Sequence, residues 1–142
     1  NKTLKIQLFD TTGQENYKYL RTTSYGQADI FILCYSLNDK ISLSNVKNIW
    51  FPEIKHTRPK SKIILVGTTL DYSGKVLTTE NGEKMKQLIN ADDYIECNLF
   101  EKTQINSVFE SAAKVVLNKK SKRKGKLNIF SKFMKKKKEY KP

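Results

Sequence analysis

Two uninterrupted apolar runs constrain the fold of this 142-residue chain more than any other feature. Residues 30–35 (IFILCY) and 63–66 (IILV) contain no charged position, and such runs are typical of parallel strands that are covered on both faces. The segment between them has apolar residues at helical spacing, namely Leu43, Val46, Ile49, Trp50 and Ile54. A strand, a helix and a strand in this order predict a crossover within a parallel sheet.

Shorter periodic segments extend this alternation on both sides. Apolar and polar residues alternate over residues 4–8, which predicts a strand with one wetter face. Residues 80–90 are predicted as a helix and 94–97 as a short strand. An amphipathic helix is predicted over 105–116, with Thr103 as its cap. The fold class is therefore α/β, with a mostly parallel sheet and flanking helices.

The charge distribution divides the chain into two parts. The formal net charge is +13, from 27 basic and 14 acidic residues. Residues 119–142 hold 12 of the basic residues and one acid, which leaves 15 basic and 13 acidic residues in 1–118. We therefore predict a nearly neutral domain over 1–118 and a polybasic tail over 119–142.

The tail has two interpretations of equal standing. As a helix, it would place Leu127, Phe130, Phe133 and Met134 on one face surrounded by lysines, which suits an anionic membrane surface. The alternative is a solvated, disordered lysine tail. No nucleic-acid partner is expected, because the aromatic residues lie on one side instead of alternating with basic residues along a groove.

Several classes of protein are disfavoured. The longest apolar run has six residues, whereas a membrane-spanning helix needs about 20. Cys34 and Cys97 have neither metal-site nor disulfide spacing, so buried free thiols in a reducing compartment are expected. His56 is predicted as a surface residue near a helix end. A cytoplasmic protein follows, with peripheral association at the inner plasma membrane through the tail.

Three polar motifs follow the predicted strands. They occupy residues 10–14, 68–71 and 96–99. In open parallel sheets, ligands bind beyond the carboxyl ends of the strands. These motifs therefore direct attention to a nucleotide site at that edge.

The motifs also resemble those of a known family. Residues 8–15 (LFDTTGQE) resemble the WDTAGQE segment of Rho/Rac-type small GTPases, and 50–56 (WFPEIKH) resemble their W-x-P-E-[IV]-[RK]-H helix. Residues 65–71 (LVGTTLD) and 94–97 (YIEC) resemble LVGTKLD and YLEC. The resemblance covers about residues 3–117 in the family's order. It implies a P-loop NTPase-like (Ras-like) fold of the Rho/Rac branch of the Ras superfamily.

The resemblance also implies roles for individual residues. Asp10 would lie behind a Mg²⁺ ion through water, Gln14 would orient the attacking water, and Asp71 would accept two hydrogen bonds from guanine. Backbone near Asn98 and Leu99 would meet the guanine carbonyl. The implied nucleotide-binding residues are Asp10, Thr11, Thr12, Gly13, Thr68, Thr69, Asp71, Asn98 and Leu99, with Gln14 as the catalytic residue.

The sequence departs from the family pattern in several places. It contains no GxxxxGK[ST] phosphate loop, so we expect it to be N-terminally incomplete and to lack the first strands and that loop. Thr12 stands in place of alanine, Thr69 in place of lysine and Asn98–Leu99 in place of Ser-Ala. The chain ends in EYKP without a CaaX cysteine, so prenylation is not supported.

The function implied is a GTP-binding and GTP-hydrolysing switch. Its cofactors would be GTP or GDP and Mg²⁺, and its partners effectors, exchange factors and GTPase-activating proteins in signalling to actin and membranes. Enzymatic activity is left open, because the 142 residues lack the phosphate loop. The alternatives are a nucleotide-free interaction protein that keeps the fold, or a non-functional fragment.

Overall fold

A three-stranded parallel sheet organises the protein in a computed structural model that describes residues 4–118. The strands are β1 (Ile30–Ser36), β2 (Lys62–Thr69) and β3 (Asp93–Asn98), in the spatial order β1-β2-β3. Both neighbouring pairs are parallel, which confirms the predicted α/β class. The tail over 119–142 lies outside the described residues, and with it the membrane-surface helix that is one of its two interpretations.

Five helices flank the sheet in the described residues. They are α1 (Lys18–Ser24), α2 (Lys40–Asn45), α3 (Phe51–Thr57), α4 (Thr79–Ile89) and α5 (residues 102–118). A π turn, Val46–Trp50, makes α2 and α3 continuous. Short 3₁₀ turns occupy Glu15–Tyr17, Tyr25–Gln27 and Tyr72–Gly74. None of the helices described is long and apolar enough to cross a membrane.

Two apolar layers cover the central strand β2. On one face Leu43, Val46 and Ile54 of the α2–α3 helix pack with Ile63 and Leu65 of β2. On the other face Ile64 and Val66 of β2 pack with Cys97, Val108 and Ala112. Burial on both sides explains why residues 63–66 are continuously apolar.

The helix ends follow local chemistry. Asp39 caps α2 by accepting a hydrogen bond from the Ile41 amide at 2.8 Å. Thr78 and Asn81 form a capping box at the start of α4, which ends at Asn90 in the left-handed conformation (φ 50°). The last helix begins at residue 102, so Thr103 lies within its first turn and is not its cap as the sequence predicted.

The predicted strand over residues 4–8 is not formed. Residues 4–14 have no regular secondary structure, and Leu4, Ile6 and Leu8 are exposed. A strand is stable only when a neighbour pairs with its backbone, and a two-residue period does not show whether that neighbour exists. In the family that the sequence resembles, a further strand lies between this segment and β1.

Cys34 also departs from expectation. Cys97 is buried, but Cys34 is exposed. Cys34 alternates with Leu33 and Tyr35, so it points to the same sheet face as Ile30 and Ile32. That face is packed over β2 and β3 by α5, whereas β1 is at the sheet edge. The prediction of a buried thiol is therefore confirmed for Cys97 and wrong for Cys34.

Candidate functional site

An open cleft of about 500 Å³ lies at the carboxyl ends of β1 and β2. Four of the predicted nucleotide-binding residues line it, namely Thr68, Thr69, Asp71 and Leu99. The remaining lining residues are Ser36, Asn38, Leu70, Ser73 and Gly74. The cleft thus occupies the place in the sheet that parallel topology predicts for a ligand.

Asp71 is an exposed carboxylate whose orientation is set by Ser73. The Ser73 amide donates to Asp71 Oδ1 at 2.9 Å, and the Ser73 hydroxyl donates to Asp71 Oδ2. These bonds make Asp71 the cap of the Tyr72–Gly74 turn and lower the pKa of its carboxyl group. A carboxylate offers about four acceptor positions, so about two remain for a ligand.

Thr69 is a buried residue that links Asn38 and Asp71 at the floor of the cleft. It is 3% exposed, and its hydroxyl lies 2.8 Å from Asn38 Oδ1 and 2.7 Å from the Asp71 carbonyl oxygen. The same hydroxyl accepts from the Asp71 amide at 3.1 Å. A hydroxyl has one proton to donate, so its two possible acceptors share it. Thr68 donates to the Tyr35 carbonyl at 3.1 Å.

The backbone near Asn98 and Leu99 is already engaged. The Leu99 amide donates to the Thr69 carbonyl at 2.9 Å, and the Asn98 amide donates to Gln104 Oε1 at 2.8 Å. Asn98 Oδ1 accepts from the Phe100 amide at 2.9 Å. A base carbonyl that binds these amides must therefore displace an acceptor from within the chain.

The segment 10–14 lies elsewhere and contributes no lining residue to this cleft among those described. Asp10, Thr11, Thr12, Gly13 and Gln14 are all exposed. A Cβ atom placed on Gly13 would lie 3.6 Å from the Trp50 ring. The backbone at Gly13 therefore faces Trp50 at the end of the π turn.

Arg21 connects this segment to α3. Its Nε and Nη2 donate to the two carboxylate oxygens of Glu53, both at 2.8 Å. Its Nη1 donates to the carbonyl oxygens of Thr12 at 2.9 Å and Gln14 at 3.0 Å. Tyr25 adds a hydrogen bond to Glu53 at 2.8 Å. We call Arg21, Tyr25, Trp50 and Glu53 the arginine clamp.

Comparison with known proteins assigns the fold to a family. The model of the Ras family matches residues 1–118. The chain belongs to the Ras family. It is also 42% identical over 118 residues to the Ras-like GTP-binding protein RhoL of Drosophila melanogaster, an alignment that covers 80% of this chain. This confirms the predicted Rho-type resemblance within the Ras superfamily. The alignment spans 62% of the length of RhoL.

The arginine clamp of this Ras-family chain contains a buried ion pair, Arg21 with Glu53. The Glu53 and Arg21 side chains are 7% and 4% exposed. The hydrogen bond from Arg21 is the largest influence on Glu53 and holds the pKa of its carboxyl below the ordinary value. Burial, assisted by the Glu53 carboxylate, raises the pKa of Tyr25 to about 12. The pair is therefore charged and Tyr25 neutral across the physiological range.

The donor set for magnesium is small. Nucleotide-bound Mg²⁺ is usually held by one or two carboxylates together with phosphate oxygens and waters. Within residues 4–118, no three His, Cys, Asp or Glu side chains gather into a metal-binding group. The carboxylate of Asp10 is exposed, and its water-mediated contact with Mg²⁺ stays a prediction.

Sequence reasoning did not identify several residues of these two regions. Asn38 and Ser73 contact Thr69 and Asp71, but neither belongs to the motifs that directed attention to the site. Only their positions could have identified them, since Asn38 follows the first strand and Ser73 is two residues beyond Asp71. Arg21 and Glu53 are 32 residues apart, and no local pattern predicts that pair.

Proposed function

We propose that this Ras-family protein binds GDP and GTP and hydrolyses GTP, acting as a Rho-type switch. The observation that carries the proposal is the Asp71 carboxylate at the mouth of the cleft beyond β2, in a chain of this family. The cleft volume of about 500 Å³ is within the usual range of small-molecule sites, about 300–1,000 Å³. Site position, acceptor chemistry and family thus support the same ligand.

Asp71 supplies the selectivity for guanine. Guanine carries two adjacent donors, the ring N1–H and the 2-amino group, which match the two oxygens of one carboxylate. Adenine has an acceptor at N1 and no 2-amino group, so the carboxylate would face a lone pair. The Asp71 carboxylate is ionised at neutral pH, since its pKa is lowered from an already acidic value, and an ionised acceptor forms stronger hydrogen bonds to the base than a neutral one.

The test compares two capping aspartates in the full-length natural protein. Asp71→Ala should weaken GDP binding at least about tenfold in calorimetry, because hydrogen bonds to a charged group are stronger than neutral ones. Asp39→Ala is the matched control, since Asp39 also caps a helical turn but does not line the cleft. Equal loss of affinity in both variants would assign the effect to folding and contradict the base-binding role.

Hydrolysis would depend on the segment 10–14. Gln14 would orient the attacking water, and the backbone at Gly13 would approach the terminal phosphate because glycine has no side chain. Bound Mg²⁺ would neutralise charge on the phosphate oxygens. Thr12 adds a β-branched hydroxyl beside Gln14, so we propose slower hydrolysis than in relatives with alanine there.

The wider role follows from the Rho-like resemblance and the tail. Effectors, exchange factors and GTPase-activating proteins are the proposed partners, with signalling to actin and membranes as the output. We place the protein in the cytoplasm, with residues 119–142 supplying peripheral contact with the anionic inner leaflet. Each lysine near such a surface contributes about 1 kcal/mol of electrostatic attraction. Because salt screens this attraction, the attachment would depend on salt concentration.

The engaged backbone amides favour a second candidate, a Ras-family interaction protein without nucleotide. The amides of Asn98 and Leu99 already have acceptors in the chain, and Thr69 ties the cleft floor where the family has a lysine. This candidate predicts a folded full-length protein that binds neither GDP nor GTP. The GDP titration described above separates the two.

A further inference from the structure

Arg21 of α1 is a buried residue that contacts several separate segments of the chain. It is 5% exposed, and four hydrogen bonds from its guanidinium divide equally between Glu53 and the carbonyls of Thr12 and Gln14. Its guanidinium carbon also lies 5.1 Å from the centre of the Trp50 ring, within the range of a cation–π contact. One side chain therefore joins the segment 10–14 to α3 and the π turn.

The segment 10–14 has little else to hold it. It has no regular secondary structure, and the Gln14 amide bonds locally to the Thr12 hydroxyl at 3.2 Å. The Gln14 carbonyl also accepts from the adjacent Tyr17 amide at 3.2 Å. Among the described residues, Arg21 is the donor that ties this segment to the chain beyond residue 17.

We infer that Arg21 is a positioning residue for Gln14, fixing the carbonyls on both sides of Gly13 so that the catalytic segment rests on α3. The inference deepens the proposed function and rests on it for the role of Gln14. Arg21 is assigned no direct contact with the nucleotide or the attacking water. It acts through the position of the backbone that carries Gln14.

The chemistry requires arginine at this position. A guanidinium is planar and presents donors in two directions, so one edge can bind a carboxylate while Nη1 reaches carbonyls beyond it. A lysine ammonium is a point donor on a flexible stem and cannot make both sets of contacts with the same geometry. Arg21→Lys therefore retains the charge near Glu53 and releases the segment.

Arg58 provides a matched control. It donates to the carbonyls of Gly26 at 2.6 Å and Ala28 at 3.2 Å. Arg58 is thus a second arginine that anchors a distant backbone segment through two carbonyls, but it does not contact residues 10–14. Arg58→Lys removes an anchor of the same kind and leaves the arginine clamp in place.

The first measurement reads the segment itself. Backbone ¹H–¹⁵N nuclear Overhauser effects at Gly13 and Gln14 should fall to values of a mobile loop in Arg21→Lys and stay at parental values in Arg58→Lys. The emission of Trp50, the single tryptophan of the chain, should shift in Arg21→Lys alone. Unchanged relaxation in Arg21→Lys, or equal loss in both variants, would overturn the inference.

A second variant covers the case in which Arg21→Lys does not fold. Glu53→Asp keeps the ion pair but shortens the carboxylate arm by one methylene, which draws the guanidinium away from Thr12 and Gln14. It should loosen the same two residues and leave Ala28 unchanged. Rigid Gly13 and Gln14 in folded Glu53→Asp would contradict the clamp.

The last measurement concerns the reaction in the full-length protein. Single-turnover GTP hydrolysis should fall at least about tenfold in Arg21→Lys, while the dissociation constant for GTP changes less than about twofold and Arg58→Lys matches the parent. An unchanged hydrolysis rate with a loosened segment would overturn the positioning role. If the parent binds no nucleotide, the proposed function fails, while the relaxation measurements still decide whether Arg21 holds the segment.

Discussion

At the residue scale, Glu53 is the buried acceptor that links Arg21 and Tyr25. It accepts two hydrogen bonds from Arg21 and one from Tyr25, in a side chain that is 7% exposed. Removing one partner of a buried ion pair typically costs about 3–5 kcal/mol, because the other charge is left unpaired. An exposed pair such as Glu80 with Lys84 contributes far less.

The pH dependence of stability should reveal this difference. The folded-state pKa of Glu53 is lowered below its ordinary value, so its contribution is complete above about pH 4.5 and is lost as the pH falls through the folded pKa. We expect Glu53→Gln to lower the free energy of unfolding most above pH 4.5, with a gap from the parent that narrows on acidification. Urea titrations from pH 7 to pH 3 measure it.

Glu80→Gln is the control for this experiment. Its carboxylate is also paired with a basic side chain, that of Lys84 at 2.7 Å, but both side chains are about 70% exposed. Its free energy of unfolding should differ little from that of the parent at any pH, because solvent screens an exposed pair. A difference in the free energy of unfolding between parent and Glu53→Gln that stays constant across the whole pH range would show that the carboxylate charge does not contribute to the stability of the clamp.

At the element scale, the contact of α4 with β3 depends on the absence of a side chain at Gly82. A Cβ atom there would lie 2.0 Å from Tyr94 Cζ and 2.1 Å from its hydroxyl oxygen. Tyr94 has little freedom to move, since its hydroxyl bonds to Tyr35 at 2.8 Å and to Glu96 at 2.9 Å. The helix therefore approaches the sheet as closely as glycine allows.

Gly82→Ala should destabilise the protein although it sits in a helix. Alanine normally favours a helix interior by about 1 kcal/mol over glycine, but displacing a hydrogen-bonded core tyrosine costs typically about 1–3 kcal/mol. The expected net change is a loss, measured by the urea midpoint. Gly26→Ala is the control, because a Cβ there meets nothing within 4 Å. A stabilised Gly82→Ala would refute the close-approach argument.

The strands and helices also show which parts of the fold could be predicted from the sequence. The strands β1 and β2 were predictable because each is a continuous apolar run, and the helix before β2 was predictable from apolar residues at helical spacing. Residues 4–8 carried an equally clear period, yet strand formation there depends on a partner that is distant or absent in the sequence. Thr68 and Asp71 were placed because they lie at the carboxyl end of β2 and just beyond it, whereas Arg21 and Glu53 meet only through packing across 32 residues.

At the scale of the whole molecule, the predicted site residues fall into two groups. Thr68, Thr69, Asp71 and Leu99 line the cleft, while residues 10–14 lie on the arginine clamp. The 142 residues contain no GxxxxGK[ST] phosphate loop to supply phosphate contacts. Residues 1–142 alone should therefore bind GDP with a dissociation constant weaker than about 1 μM. Submicromolar binding by this segment in calorimetry would refute the expectation.

The tail should add membrane affinity with two separable components. Charge attraction weakens as the Debye length falls from about 10 Å at 0.1 M salt to about 3 Å at 1 M. Burial of Phe130 and Phe133 would add a salt-resistant part of about 1.5–3 kcal/mol per fully buried side chain. Vesicles with anionic lipid should bind the protein, neutral vesicles should not, and Phe130→Ala with Phe133→Ala should abolish the binding that survives 1 M salt. Parental binding by that double variant would leave only a diffuse cationic tether.

Guanine selectivity of the full-length protein is the sharpest test of nucleotide binding through Asp71. Calorimetric titration with GDP and with ADP, each with Mg²⁺, compares two ligands that share their phosphates and ribose and differ in the base. The Asp71 carboxylate predicts that GDP binds at least about 100-fold more tightly than ADP, a difference of about 2.8 kcal/mol. Equal affinities for GDP and ADP, or no binding of GDP by the folded protein, would contradict a guanine site at Asp71.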